Sequence, residues 1–302
     1  MAKTEEAAVS VRKTIKLSVS YRIFLVCNTI FMILISVITL YPFLYLVAQS
    51  FSSEAAIVQG AVKLWPVDFN ITTYISVITK GDFIRYYGNT IWYSFVGTLL
   101  SLLFSAMLAY PLSKPELRLN KFFTPFIIFT MYFGGGLIPN YVLMSRLGLK
   151  DSTLAFIIPG LIGTYYVLLM KSFFASIPRD LEEAGAIDGL THFGIFARIV
   201  IPLSKPIMAT MTLFYIVGYW NNWFNAFLYL DEKTRWPVAY YLRQIINGTA
   251  TSNDPGAVAD AAQIASNIKS CCMVLTAFPL ICIYPFIQKY FVQGMMLGGV
   301  KE

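Results

Sequence analysis

Charge is what this sequence has least of. Asp, Glu, Lys and Arg make up 13% of its 302 residues, about half the share of a soluble chain, and apolar residues at 57% take their place. Such a chain cannot cover itself with a polar surface, so a soluble globular protein is excluded. Histidine is nearly absent: with His192 alone and four cysteines, too few ligands remain for a histidine or mixed metal site. Cys27, Cys271, Cys272 and Cys282 show no CxxC spacing, and three lie in apolar stretches where a thiol behaves as a small hydrophobe, so no disulfide framework is expected. No Ser/His/Asp arrangement can be drawn, and GxxxxGK[ST] is missing, so the chain has no Walker loop to cradle nucleotide phosphate. Catalysis within this chain, including ATP hydrolysis, is not expected.

Long apolar runs are what is present. A helix needs about 20 apolar residues to cross the hydrocarbon layer, and six runs free of Asp, Glu, Lys and Arg qualify: Ile23 to Val47, Thr90 to Tyr110, Phe122 to about Ser145, Ser152 to Met170, Pro206 to Leu230, and Ser270 to Gln288. The fold class is therefore all-α, a polytopic membrane protein with six transmembrane helices. Pro159, Pro279 and Pro285 do not veto it, because membrane helices tolerate proline where neighbours satisfy the freed carbonyls. The first run is longer than a secretory core and no small-residue cleavage site follows, so it reads as a retained helix.

The organisation that follows is a tail over 1–22, a membrane domain over 23–292 with outer loops 48–87 and 231–269 and an inner loop 176–203, and a tail over 293–302. The side holding both tails carries 14 Lys and Arg against 9 on the other, which places both termini in the cytoplasm. The net charge of +7 then needs no nucleic acid to explain it. Gly134, Gly135, Gly136, Gly160 and Gly163 read chiefly as sites of close helix packing, with a flexing helix as the alternative. In the first tail, Val11, Ile15 and Val19 among Arg12, Lys13 and Lys16 fit either a segment lying on the membrane or a solvated leader.

One inner loop is too polar and too patterned for a connector: SIPRDLEEAGAIDGLTHFGIFARIVIPLSKP, residues 176–206. Pro178 suits a first helical turn, Asp180, Glu182 and Glu183 favour a helix start, and Gly189 a stop. Phe193, Phe196, Ile199 and Val200 then form a stripe at helical spacing that Pro202 is expected to end. Two short amphipathic helices with nowhere in the membrane to go must dock on something. His192 reads as a surface residue here, not a proton carrier.

Glu183, Ala184 and Gly185, Gly189 four residues later, and Ile199 to Pro202 ten residues on resemble the EAA loop of ABC-importer permeases, with Gly185 replacing an alanine and Ile201 a leucine. GGGLIP at 134–139, WNNWFNAF at 220–227 and the ending QKYFVQGMMLGGVK at 288–301 resemble the second permease of maltose-type sugar importers, in the branch serving alginate, pectin-derived and other complex oligosaccharides. The resemblance implies the type I importer permease fold in a bacterial inner membrane. It further implies a second homologous permease, two ATPase subunits carrying ATP and magnesium, and an extracytoplasmic sugar-binding protein. The coupling residues it implies are Glu183, Ala184, Gly185, Asp188, Gly189, Phe196 and Pro202; small residues at 184 and 185 are expected to let the helix lie against a cleft wall of the ATPase, with Glu183 pairing a cation there. Without that resemblance, an ATP-independent transporter or channel fits the same runs, although ion-coupled transporters usually carry ionisable residues inside their spans.

The fifth run is dense in amide and aromatic groups: Tyr215, Tyr219, Trp220, Asn221, Asn222, Trp223 and Asn225. Amides bond sugar hydroxyls and aromatic faces cover pyranose rings, so these residues read as a sugar path. An interfacial aromatic belt, with asparagines joining helices, explains them equally. Arg235 and Arg243 in the following loop read as contacts for a binding protein or an acidic sugar, or as solvated charges.

Overall fold

The computed structural model describes residues 18–80, 82–248, 267–283 and 285. Most of the first tail, residues 249–266 of the second outer loop, and the ending QKYFVQGMMLGGVK lie outside the described residues.

Two long helices run unbroken. α1 (Val19–Ser50) has 32 residues and α4 (Phe83–Leu112) has 30, each beginning several residues before the expected span. Between them, α2 (Glu54–Val58) and α3 (Thr72–Lys80) fold the first outer loop into a cap, in which Phe51 stacks on Phe69 and Tyr74 at 5.4 and 4.8 Å. Sequence reading left this segment as plain loop.

α4 is the hub. Besides Phe83, Tyr86, Tyr93 and Leu112, its buried stripe is made of small and hydroxyl-bearing residues, Thr90, Ser94, Gly97, Thr98, Ser101, Ser105, Ala106 and Ala109, the composition that lets membrane helices approach closely. α12 (Lys205–Trp220) lies along it. Ser101 and Ser105 share hydrogen bonds of 2.9 and 2.7 Å with the Tyr219 and Tyr215 hydroxyls. At Gly97 a β-carbon would fall 2.7 Å from the Tyr219 ring, so only glycine admits this contact. On the other flank, Val167, Met170 and Phe174 of α8 (Thr164–Ala175) fill the core.

The remaining spans are not straight. The third expected span is two helices, α5 (Asn120–Tyr132) and α6 (Leu137–Arg146), bent 107° apart. Gly134, Gly135 and Gly136 sit at the bend and pack closely against nothing among the described residues: a β-carbon at Gly134 would meet open space there, and Gly136 adopts φ +87°. Packing was the expected role. Three consecutive glycines, each worth about 1 kcal/mol of lost helix preference relative to alanine, break the helix instead. The fourth span is α7 (Thr153–Ile157), a 3₁₀ turn over 158–160, and α8, bent by 55°; α8 continues past Met170 to Ala175. The fifth breaks at Asn221, where α12 stops, and resumes as α13 (Phe224–Tyr229). α14 (Val238–Gly248) and α15 (Asn267–Ile283) complete the described helices.

Candidate functional site

The inner loop folds as two short helical elements. α9 (Arg179–Ile187) starts after Pro178, which is its N-cap and not part of the first turn. Asp188 closes it, Gly189 takes φ +80°, and the Leu190 amide donates to the Gly185 carbonyl at 3.0 Å. That left-handed residue just past the helix is where glycine is favoured. Thr191 then caps α10 (His192–Ile195), its hydroxyl accepting from the Gly194 amide at 3.2 Å. A π turn over 196–200 leads into α11 (Ile201–Leu203). Pro202 does not end the stripe as expected. The Ile201 amide reaches back five residues to Phe196, which widens the helix just where the proline ring would press on the carbonyl four residues earlier. The chain turns at Ser204, 83° into α12.

The two helices divide their faces. Ile195, Phe196 and Val200 join the bundle core, so the second helix docks on this chain itself. Gly185 is buried too: a β-carbon there would lie 2.6 Å from Ile199 Cδ1. The expectation that Gly185 meets an ATPase wall is therefore corrected; its missing side chain serves contact inside the loop. Glu183, Ala184, Asp188 and Gly189 are exposed, as are Ile187, Phe193, His192 and Pro202. Glu183 has no ion-pair or hydrogen-bond partner among the described residues.

Glu182 points the other way. Its carboxylate accepts from the Tyr110 hydroxyl at 3.1 Å and pairs with Lys114. Both charged side chains are largely covered, at 14% and 25% exposure. Arg179 reaches Glu116 at 2.9 Å on the outside, and the Tyr110 ring packs on Phe196 at 5.2 Å. Beside these contacts lies a cavity of about 730 Å³, bordered by Met107, Tyr110, Leu117, Glu182, Phe193 and Phe196. Sequence reading missed Glu182, Tyr110 and Lys114; the one available signal was the spacing of Arg179, Glu182 and Gly185, which shares one helical face.

The amide and aromatic residues of the fifth span separate into two groups. Tyr215, Tyr219 and Trp220 are buried between helices. The Tyr219 hydroxyl also donates to the Ile157 carbonyl at 3.1 Å, the Tyr215 hydroxyl accepts from the Gly163 amide at 3.2 Å, and Trp220 Nε1 donates to the Thr276 carbonyl at 3.0 Å. Asn225 ties its chain to the Phe156 carbonyl at 3.2 Å. Asn221, exposed, and Asn222 and Trp223, half-buried, occupy the break itself. Asn222 lines a smaller hollow of about 210 Å³ with Gly160, Tyr166, Phe214 and Gly218. The Arg243 guanidinium lies over the Trp223 ring at 3.6 Å.

Arg235 is exposed but tied down by its own chain. It bonds Glu232 at 3.0 Å and the Asp151 carbonyl, stapling the turn after α6 to the chain after α13. Hydrogen bonds from Thr234 and Arg235 hold the Glu232 carboxyl below its ordinary range. Nearby, Lys150 pairs with Asp231 at 3.2 Å, and bonds to Tyr141 and Asp231 hold its ammonium above the usual lysine range. Among the described residues no three His, Cys, Asp or Glu side chains gather as a metal site.

This geometry meets its family at residues 101–297, which match the model of the "Binding-protein-dependent transport system inner membrane component". The chain belongs to that family. It is similar to protein LplC of Bacillus subtilis (strain 168), 39% identical over 93% of this chain and 95% of the relative. It is also similar to the polygalacturonan/rhamnogalacturonan transport system permease protein YtcP of the same organism, 34% identical over 90% and 96%. A solved bacterial ABC transporter involved in the import of the acidic polysaccharide alginate has a chain that superposes with TM-score 0.83 at 34% identity, covering 91% of this chain and 99% of that one. The protein is thus a polytopic permease subunit of an ABC importer, and the resemblance carried by the inner loop named the right family.

Proposed function

We propose that this permease carries oligosaccharides across the bacterial inner membrane as one half of a heteromeric importer, with both termini in the cytoplasm. A second permease completes the path, two ATPase subunits binding ATP and magnesium drive it, and a binding protein delivers sugar from outside. One observation carries the docking part. α9 buries Glu182 and Gly185 against its own chain and leaves Glu183, Ala184 and Ile187 bare on the opposite side, an uncovered charge beside a large exposed apolar side chain. Such a face fits a protein cleft with a cation at its edge. The domain limits follow: membrane unit 23–292 with its coupling loop at 176–203.

The substrate class rests on the relatives' names and on the break at Asn221 to Trp223. A helix that stops within a span frees backbone groups that need water or protein, and here it does so among amides and an indole face. In this reading Asn221, Asn222 and Trp223 line the path, while Tyr215, Tyr219, Trp220 and Asn225 hold its wall in shape. An arginine held flat on an aromatic ring is also suited to a sugar carboxylate, and Arg243 over Trp223 gives an acidic oligosaccharide a place to be read.

Copurification tests the assembly. Tagged permease should bring down a sister permease and two ATPase subunits, and Glu183→Lys should lose at least tenfold of the bound ATPase while still inserting in the membrane. A monomer that transports sugar with no ATPase present would replace this reading with an ATP-independent transporter.

A further inference from the structure

Two adjacent glutamates on α9 differ in their partners: Glu182 is bonded to its own chain, and Glu183 has no partner among the described residues. Glu182 is tied to the end of α4 through the Tyr110 hydroxyl and the Lys114 ammonium, and the same ammonium lies 4.7 Å from the Tyr110 ring centre. We propose that Glu182, Tyr110 and Lys114 form the link that hands a displacement of the coupling loop to α4, with Glu182 as a positioning residue that never touches the ATPase. The proposal rests on the docking reading above and adds to it a route into the membrane.

The reasoning is mechanical and begins with the cavity. The loop packs on the end of α4 through Ile195, Phe196 and Val200, with the Tyr110 ring tilted on Phe196, and beside that packing lies about 730 Å³ of space lined by Tyr110, Lys114 and Glu182. Apolar surfaces slide past one another at little cost, whereas a largely covered ion pair with a second hydrogen bond fixes both distance and direction. Removing one member of such a pair strands a charge away from water, so the pair resists parting when the loop is pulled. The tie therefore adds, at the wall of this cavity, a directional constraint that apolar packing alone does not supply.

Its far side is equally defined. Tyr110 and Lys114 stand at the end of the helix whose Ser101 and Ser105 hold Tyr219 and Tyr215 of α12, and α12 ends at the Asn221 break. A shift of α4 thus reaches the proposed sugar path through two hydrogen bonds and the close contact at Gly97. The exposed Arg179–Glu116 pair spans the same two elements, but solvent screening leaves it weak.

The test uses the complete importer in proteoliposomes with its ATPases and binding protein, supplied with oligogalacturonate, an alginate trisaccharide or arabinotriose, whichever the wild type takes up fastest. Glu182→Gln and Lys114→Met should keep ATPase copurification and basal ATP hydrolysis within twofold, while sugar moved per ATP falls about tenfold. The exchange Glu182→Lys with Lys114→Glu should recover at least a third of that ratio. A ratio unchanged in both single variants overturns the link, and so does ATPase binding that falls in step with transport, since Glu182 would then be a docking residue. If Glu182→Gln does not reach the membrane, Tyr110→Phe takes its place: it keeps the ring on Phe196, should lower the ratio about threefold, and overturns the link by leaving it unchanged. A wild type that binds no ATPase or moves none of the three sugars refutes the docking or substrate reading before any variant is made, and this proposal with it.

Discussion

α1 and α4 are both continuous, apolar and some thirty residues long, yet none of the most apolar stretch of α1 is buried while 39% of that of α4 is. The difference lies in where the hydroxyls go. Thr29, Ser36 and Thr39 of α1 donate to carbonyls of their own helix, four residues back, at 2.8 to 2.9 Å. Ser101 and Ser105 of α4 reach across to tyrosines of α12, and the Thr90 hydroxyl accepts from the Val238 amide at 2.8 Å. Within lipid, apolarity gives no reason for one helix to prefer another. Small residues that admit a neighbour and hydroxyls that bond it supply the reason, and α1 offers them only at its last turn, where Ala48 and Ser50 are buried and Ser50 bonds the Tyr74 hydroxyl at 2.8 Å.

Three changes would break or sharpen this contrast. Gly97→Leu should do most harm, because its β-carbon already overlaps the Tyr219 ring; overpacking of this kind costs about 1–3 kcal/mol, read as a lowered thermal unfolding midpoint in detergent and a fall in monodisperse protein. Removing the cross-helix bonds comes next. Ser101→Ala with Ser105→Ala should cost about 0.6 kcal/mol each and under about 2 kcal/mol apiece at most, a measurable midpoint shift with assembly retained. The smallest effect belongs to α1: Thr29→Val with Ser36→Ala should stay within about 0.5 kcal/mol. A drop as large as that from α4 would mean that α1 is held by a surface this chain alone does not reveal.

Legibility followed the same division. The apolar runs were plain because length and missing charge are properties of composition. Where those runs break was not, since hydropathy counts Gly134 to Gly136 or Asn221 to Trp223 without registering whether a helix can continue through them. The inner loop was readable because its spacing is local, from Glu183 to Pro202. The tie behind it was hidden, because Lys114 lies 68 residues from Glu182 and nothing in either segment announces the other. For Tyr215 and Tyr219, residue type does not separate path from packing; the bonds to Ser105, Ser101 and the Ile157 carbonyl show that they join helices.

The glycine bend between α5 and α6 leaves something bare that is not a side chain. The amides of Gly134 and Gly135 find no backbone acceptor among the described residues, and with no β-carbon above them they are open to whatever surrounds the protein. Hydrocarbon offers no hydrogen bond, so a peptide unit bathed in lipid there would carry a penalty of several kcal/mol. In the isolated chain these amides must therefore turn to water. Deuterium should enter these two amides within seconds while the ladder of α4 keeps its protons for hours, marking a pocket of hydration set into an otherwise dry wall.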